Sequence, residues 1–237
     1  LNFKRGCSEI IVQQFFDKET STFTYLVFDQ EKGEGLLIDP VFEQVQRDLK
    51  WIKELGINLK FILETHIHAD HLTGSWEIKK ETEALICLNE LSDAKNSDRL
   101  LGDGDLLNVG KFSLKAIGTP GHTKACMSYF VDGVLFTGDT LFVRGCGRTD
   151  FQEGSSQLLF KSVREKLFSF SDETLIYPGH DYKGVHVSTI GEEKRYNPRL
   201  KMENSEDDFI KIMENLNLAY PKKIKESLPH NLLCGQR

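Results

Sequence analysis

Three of the chain's seven histidines and an aspartate stand within Thr65-His66-Ile67-His68-Ala69-Asp70-His71. Imidazole is the commonest side-chain metal ligand at neutral pH, and carboxylate is a natural partner for a divalent ion. Core packing does not account for three histidines this close together. A histidine-rich surface loop would leave three further motifs unexplained: His122 in Thr119-Pro120-Gly121-His122-Thr123, Asp139 in Thr137-Gly138-Asp139-Thr140, and His180 in Pro178-Gly179-His180-Asp181-Tyr182. Taken singly, His122 reads as a turn residue, Asp139 as a helix N-cap, and His180 as a satisfied polar side chain. Jointly, five histidines and two aspartates in four short motifs call for metal.

Each motif directly follows an apolar, strand-like run: Phe61–Leu63, Leu114–Ile117, Val134–Phe136 and Leu175–Tyr177 in turn. Loops at the ends of sheet strands gather along one rim, the usual place for a site. Glycine and proline beside the candidate ligands let the backbone turn sharply.

The remaining elements follow from local pattern. Runs at Ile10–Phe15, Thr22–Phe28 and Leu36–Ile38, with a turn at Gly33-Glu34-Gly35, predict a strand meander. Helix follows at 42–55, where Val45, Leu49 and Ile52 share a face and Gly56 suits the C-terminal cap. Leu72–Lys80 reads as helix and Ala84–Leu88 as a short strand. Further strands fall at Phe112–Ile117, Met127–Val131, Val134–Thr137 and Thr174–Tyr177. Helices fall at 156–168 and 206–217, the second capped by Ser205 with Asp208 three residues on. Helices must cover sheet faces, which gives a layered α/β domain. The reading is one domain over residues 1–237, with a helical extension from about residue 186.

Composition is that of an ordinary globular chain: 237 residues, 39% hydrophobic and 28% charged, with a net charge of −6. No basic block marks a nucleic-acid footprint, and no apolar run approaches a membrane span. The five cysteines, Cys7, Cys87, Cys126, Cys146 and Cys234, are scattered and form no Cys-x-x-Cys pair. This argues against a disulfide scaffold or structural zinc and for a reducing compartment.

The motifs THIHADH, Gly121-His122-Thr123, Gly138-Asp139-Thr140 and Gly179-His180 together resemble the metallo-β-lactamase superfamily. The resemblance implies an αββα sandwich: two central mixed β-sheets flanked by helices, with the metal at one edge. In binuclear hydrolases of that fold, one metal uses the positions matching His66, His68 and His122. The other uses those matching Asp70, His71 and His180, and the position of Asp139 bridges. The stretch from Leu141 to Gln152, LFVRGCGRTDFQ, is similar to the persulfide dioxygenases of the ethylmalonic-encephalopathy type. So are Tyr177–Tyr182, Asn197-Pro198-Arg199-Leu200, Met213–Leu218 and Cys234-Gly235.

Residues alone would suggest a two-zinc hydrolase. The resemblance instead implies one Fe(II) per chain on His66, His122 and Asp139, with open positions for substrate sulfur and O2. His68, Asp70, His71 and His180 would then orient ligands and water by hydrogen bonds, or form a second metal position. The implied reaction oxidises glutathione persulfide with O2 to sulfite and glutathione. Arg148 and Tyr182 are expected near the substrate, with a structural ion pair between Arg148 and Asp150 as the competing role. Cys146 and Asp150 are expected to border the pocket, Cys146 either shaping it or serving as a small buried side chain. The rival is a binuclear zinc thioester hydrolase resembling glyoxalase II, in which metal activates water. Glyoxalase II enzymes typically carry a Lys-Phe-Tyr type segment where this chain has Gly147–Phe151. No nucleic-acid or membrane partner is expected, and a homodimer is compatible with the sequence. The expected compartment is the cytoplasm for a bacterial chain. It is the mitochondrial matrix for a eukaryotic chain with a removed transit peptide.

Overall fold

β-Branched and aromatic enrichment builds the first three strands, and each is tied to its neighbour by a short turn. In the computed structural model, which describes residues 10–220 and 223–237, these are β1 (Ile10–Asp17), β2 (Thr22–Asp29) and β3 (Glu34–Ile38). They form the expected antiparallel meander. β4 (Asn58–Leu63), β5 (Leu85–Asn89) and β6 (Arg99–Leu101) extend the same sheet in parallel register. The second six-stranded sheet comprises β7 (Leu106–Val109), β8 (Phe112–Gly118), β9 (Met127–Val131), β10 (Val134–Gly138), β11 (Leu175–Pro178) and β12 (Ser188–Thr189). Its strands are antiparallel except for the β10–β11 pair.

Three apolar clusters define the layers. The first lies between the sheets and includes Tyr25, Leu36 and Leu63 from one and Leu114, Tyr129 and Phe136 from the other. The second packs the outer face of the first sheet against α1 (Val45–Glu54), through Val45 and Ile52, and α2 (Ser75–Thr82), through Ile78. The third packs the second sheet against α3 (Ser156–Lys161), α4 (Ile190–Tyr196) and α5 (Glu206–Glu214), through Leu159, Ile190 and Phe209. A last helix, α6 (Ile224–Asn231), sets Leu228 against the second cluster. The result is a helix–sheet–sheet–helix sandwich. Among the described residues, no helix is long and apolar enough to cross a membrane.

Some boundaries differ from expectation for local reasons. α2 begins at Ser75, not Leu72, because Leu72 accepts a hydrogen bond from Phe42 and Thr73 bridges to Val41. The helix expected over 156–168 widens into a π turn at Ser162–Lys166 and tightens into a 3-10 turn at Leu167–Ser169. α5 carries the Ser205/Asp208 capping box but ends at Glu214. Cys7 lies outside the described residues, and Cys87, Cys126, Cys146 and Cys234 are buried free thiols.

Position 121, beside His122, has φ +146°, and a Cβ there would come within 2.3 Å of the Leu159 backbone on α3. Gly121→Ala must therefore push α3 away from the site and strain the turn. The expected loss is on the order of 3 kcal/mol in denaturant unfolding. An unchanged midpoint would mean that α3 adjusts freely.

Candidate metal centre

β4, β8, β10 and β11 end at one edge of the sandwich, and the loops that follow them converge there. His66, His122 and Asp139 come together with ligand atoms within 4.8 Å of one another, as do those of His68, Asp70 and His71. His180 Nε2 stands 3.5 Å from both Asp70 Oδ2 and Asp139 Oδ1.

Each imidazole commits one ring nitrogen to the protein and leaves the other facing the centre. His122 Nδ1 donates to the Arg148 carbonyl at 2.6 Å, which turns Nε2 toward Asp139 Oδ2 at 3.5 Å. His180 Nδ1 donates to the Ser21 carbonyl at 3.1 Å, and His71 Nδ1 pairs with Asp70 at 3.0 Å. His66 Nδ1 lies 3.0 Å from the Thr65 hydroxyl, which itself donates to Asp39 Oδ2 at 2.8 Å. His68 turns the other way: its Nε2 donates to Asp39 Oδ1 at 3.1 Å and lies 3.3 Å from Glu64 Oε2.

Three atoms at this edge, His68 Nδ1, His71 Nε2 and Asp139 Oδ1, are buried without a hydrogen-bond partner. Buried polar atoms in folded proteins are normally satisfied, so these orphans fit a bound cation. Burial, with the neighbouring imidazoles of His68 and His122, holds His66 well below the usual histidine range. It is therefore a neutral imidazole, the form that donates a lone pair to metal. For His68 burial acts in the same direction, but the charge of Asp39 and hydrogen bonds to Asp39 and Glu64 outweigh it and raise the pKa. For His180 burial is likewise outweighed, here by Asp139 and Asp70. The donor set suits a divalent transition ion.

Asp39 and Glu64 lie outside the four histidine and aspartate motifs of the sequence. Both are buried, each directly after an apolar strand. For Glu64 the available signal is a carboxylate that ends an apolar run beside a histidine motif; Asp39 ends an apolar run with no such neighbour. Glu64 accepts hydrogen bonds from the Thr73 and Ser75 hydroxyls while facing His68.

Beside the centre lies a cleft of about 420 Å3 that reaches Asp70, His122, Asp139 and His180. Four basic side chains line it: Arg144, Arg148, Lys183 and Arg199. Tyr182 also lines it, 68% exposed, with its ring stacked on His180 at 5.6 Å between centroids. Arg148 borders the cleft, but its guanidinium is committed. Nε and Nη2 donate to the two oxygens of Asp150 at 2.7 and 2.8 Å, and Nη1 donates to the Ala219 carbonyl at 2.7 Å. The competing ion-pair role is thus the one visible in the geometry. Cys146 is 4% exposed, with Sγ 3.8 Å from Met213 Sδ, and burial pushes its thiol up to about 11. Arg199 Nη1 donates to the Cys146 carbonyl at 2.9 Å. The loop that carries these residues is anchored by Glu193 on α4, which pairs with the Arg144 guanidinium and accepts from its backbone N–H at 2.9 Å.

The chain matches the metallo-beta-lactamase superfamily over residues 17–180 and belongs to it. Within that superfamily its similarity to persulfide dioxygenases extends over nearly all of its length. It is 43% identical to the human mitochondrial persulfide dioxygenase ETHE1 over 228 residues, covering 95% of this chain and 89% of that protein. The crystal structure of ETHE1 from Myxococcus xanthus superposes with a TM-score of 0.93 at 46% identity, covering 95% of this chain and 100% of that one. A metallo-beta-lactamase from Staphylococcus aureus reaches 0.88 at 29% identity, covering 96% of this chain and 73% of that one.

Two substitutions probe the supports of the site. Asp39→Asn removes the charge that orients His66 through Thr65 and His68 directly. Metal affinity should fall roughly 10–100-fold in a competitive chelator titration, and wild-type affinity would contradict the role. Arg148→Ala should lower the melting temperature and metal content while leaving KM nearly unchanged. A raised KM with normal stability would instead assign Arg148 to substrate carboxylate recognition.

Proposed function

We propose that the chain is a mononuclear Fe(II) persulfide dioxygenase that oxidises glutathione persulfide with O2 to sulfite and glutathione. The observation that carries this reading is two imidazoles and one carboxylate, His66, His122 and Asp139, gathered beside a cleft that His122 and Asp139 line together with basic side chains. Two histidines and a carboxylate on one face of an iron leave positions open, the pattern of non-haem oxygenases. Similarity to the ETHE1 persulfide dioxygenases over 95% of the chain supports the same reading.

Bound Fe(II) would supply the redox chemistry between O2 and sulfur. The stoichiometry closes with one persulfide, one O2 and one water giving one thiol, one sulfite and two protons. The protein binds and orients the substrate. Lys183 and Arg199 bring positive charge to the cleft, complementing a substrate that carries carboxylates and an ionised sulfur. The buried thiol of Cys146, pushed up to about 11, stays protonated and contributes shape, not a competing thiolate. His68, Asp70, His71 and His180 surround the ligand set and orient water by hydrogen bonds. The reading treats 1–237 as one domain with a helical extension from about residue 186.

Anaerobic iron loading, followed by O2 uptake with glutathione persulfide and thioester hydrolysis on the same sample, decides between this reaction and the zinc hydrolase. The expected result is about one iron per chain, as a single two-histidine-one-carboxylate site requires, with O2 consumption and sulfite release. His66→Ala should abolish iron binding, whereas His180→Ala should lower activity or affinity roughly 10–100-fold. Two tightly held zinc ions with thioester hydrolysis and no O2 uptake would sink the proposal.

A further inference from the structure

The segment between β4 and α2, which carries the histidine motif, has neither helix nor strand. Its backbone polar groups must therefore be satisfied from elsewhere. Asn231, the last residue of α6, supplies three of those bonds. Its Nδ2 donates to the carbonyls of His68 and His71, both at 2.8 Å, and its Oδ1 accepts from the Thr73 N–H at 2.9 Å. A side-chain amide has two donor hydrogens and one carbonyl oxygen, and here all are used on one loop. Asn231 is 2% exposed, so none of these groups has water as a substitute.

The residues after Asn231 hold it in place. The helix ends with the Gly235 N–H on the His230 carbonyl and the Cys234 N–H on the Asn231 carbonyl. The Trp76 N–H, in the first turn of α2, donates to the Cys234 carbonyl at 3.1 Å. Cys234 Sγ lies 3.2 Å from the Lys95 carbonyl. At Gly235, with φ +84°, a Cβ would stand 2.5 Å from the Thr73 carbonyl, so only glycine lets the turn rest on the motif loop. The Cys234-Gly235 pair thus has a placement role that its buried, unreactive thiol does not suggest.

We infer that Asn231 is a positioning residue for the metal centre, with Cys234-Gly235 as the turn that seats it. It acts through the backbone at His68 and His71, fixing where those two rings stand relative to His66, His122 and Asp139. The inference rests on the assignment of that edge as a metal centre, but not on which reaction the metal performs.

The test uses Co(II) added to the metal-free full-length protein and followed by its visible absorption. Asn231→Asp is isosteric; it keeps the acceptor for Thr73 but turns a carboxylate oxygen toward two carbonyls. Asn231→Ala removes all three bonds. Leu228→Ala, on the same helix but packed on the apolar cluster, reports general loosening of α6. Both Asn231 variants should bind Co(II) roughly 10–100-fold more weakly and with altered absorption bands, because they displace His68 and His71, which support the ligand set. Leu228→Ala should lower the melting temperature yet keep the wild-type affinity and spectrum. Wild-type Co(II) affinity and bands in Asn231→Asp would overturn the proposal. An equal loss in Leu228→Ala would also overturn it, by reducing Asn231 to a general stabiliser. The readout needs no turnover, so it decides the positioning role whether or not the wild type consumes O2.

Discussion

One buried carboxylate, Asp39, determines how the histidine motif is presented. It is 1% exposed and sits at φ +51°, just past β3. Its backbone N–H donates to the Leu63 carbonyl, and its own carbonyl accepts from Thr24. Its side chain accepts from the Thr65 N–H at 2.7 Å, the Thr65 hydroxyl at 2.8 Å and His68 Nε2 at 3.1 Å. An unpaired buried charge would be costly, but three donors on one carboxylate remove that penalty and fix direction. The Thr65 hydroxyl, having given its proton to Asp39, is left to accept from His66 Nδ1. One carboxylate therefore orients the ring of His66 through a hydroxyl and that of His68 directly. Their opposite ring nitrogens then face the centre.

The inner apolar core sets the distance between the two halves of the site. His66 to His71 follow a strand of the first sheet, whereas His122, Asp139 and His180 follow strands of the second. Two buried tyrosines cross the core and bind the start of a ligand loop in each direction. Tyr129, on the second sheet, donates to the Glu64 carbonyl at 2.7 Å. Tyr25, on the first, donates to the Pro178 carbonyl at 2.5 Å. A buried tyrosine contributes a large apolar ring and needs one partner for its hydroxyl. Here that need is met at the functional edge, so packing the sandwich and registering the site are the same event.

The strand ends and their motifs are legible because candidate metal ligands of defined type recur there, and the long apolar strands reveal themselves by composition. The supports are less so. Asp39 and Glu64 each end an apolar run, where a carboxylate reads as a turn residue; only folding reveals that both face His68. β6 and β7 are short, and Leu100 and Leu106 are exposed, so neither shows a clean alternation. α4 is seven residues long and its chief contribution is a buried acid, Glu193. α6 contains Pro229, a residue that ordinarily argues against helix. The direction of the Arg148 guanidinium was a choice between two chemically equal partners, a substrate carboxylate and Asp150. The sequence held no geometry to separate them.

An irregular loop can be rigid if its backbone is answered from several directions, and the 64–74 segment shows how. Its carbonyls are taken in turn by side chains and backbone far away in sequence. Tyr129 binds Glu64, the Met127 N–H binds Thr65, Gln152 Nε2 binds Ile67 at 2.7 Å, and the Phe42 N–H binds Leu72. These donors come from the second sheet, from the cleft-lining loop and from the segment after β3. None is a candidate ligand, yet each restrains the same short stretch of chain. Gln152 has a further consequence, because it also lines the cleft. Its amide holds the carbonyl of Ile67, the residue between His66 and His68. The cleft wall and the histidine motif are therefore joined through one hydrogen bond.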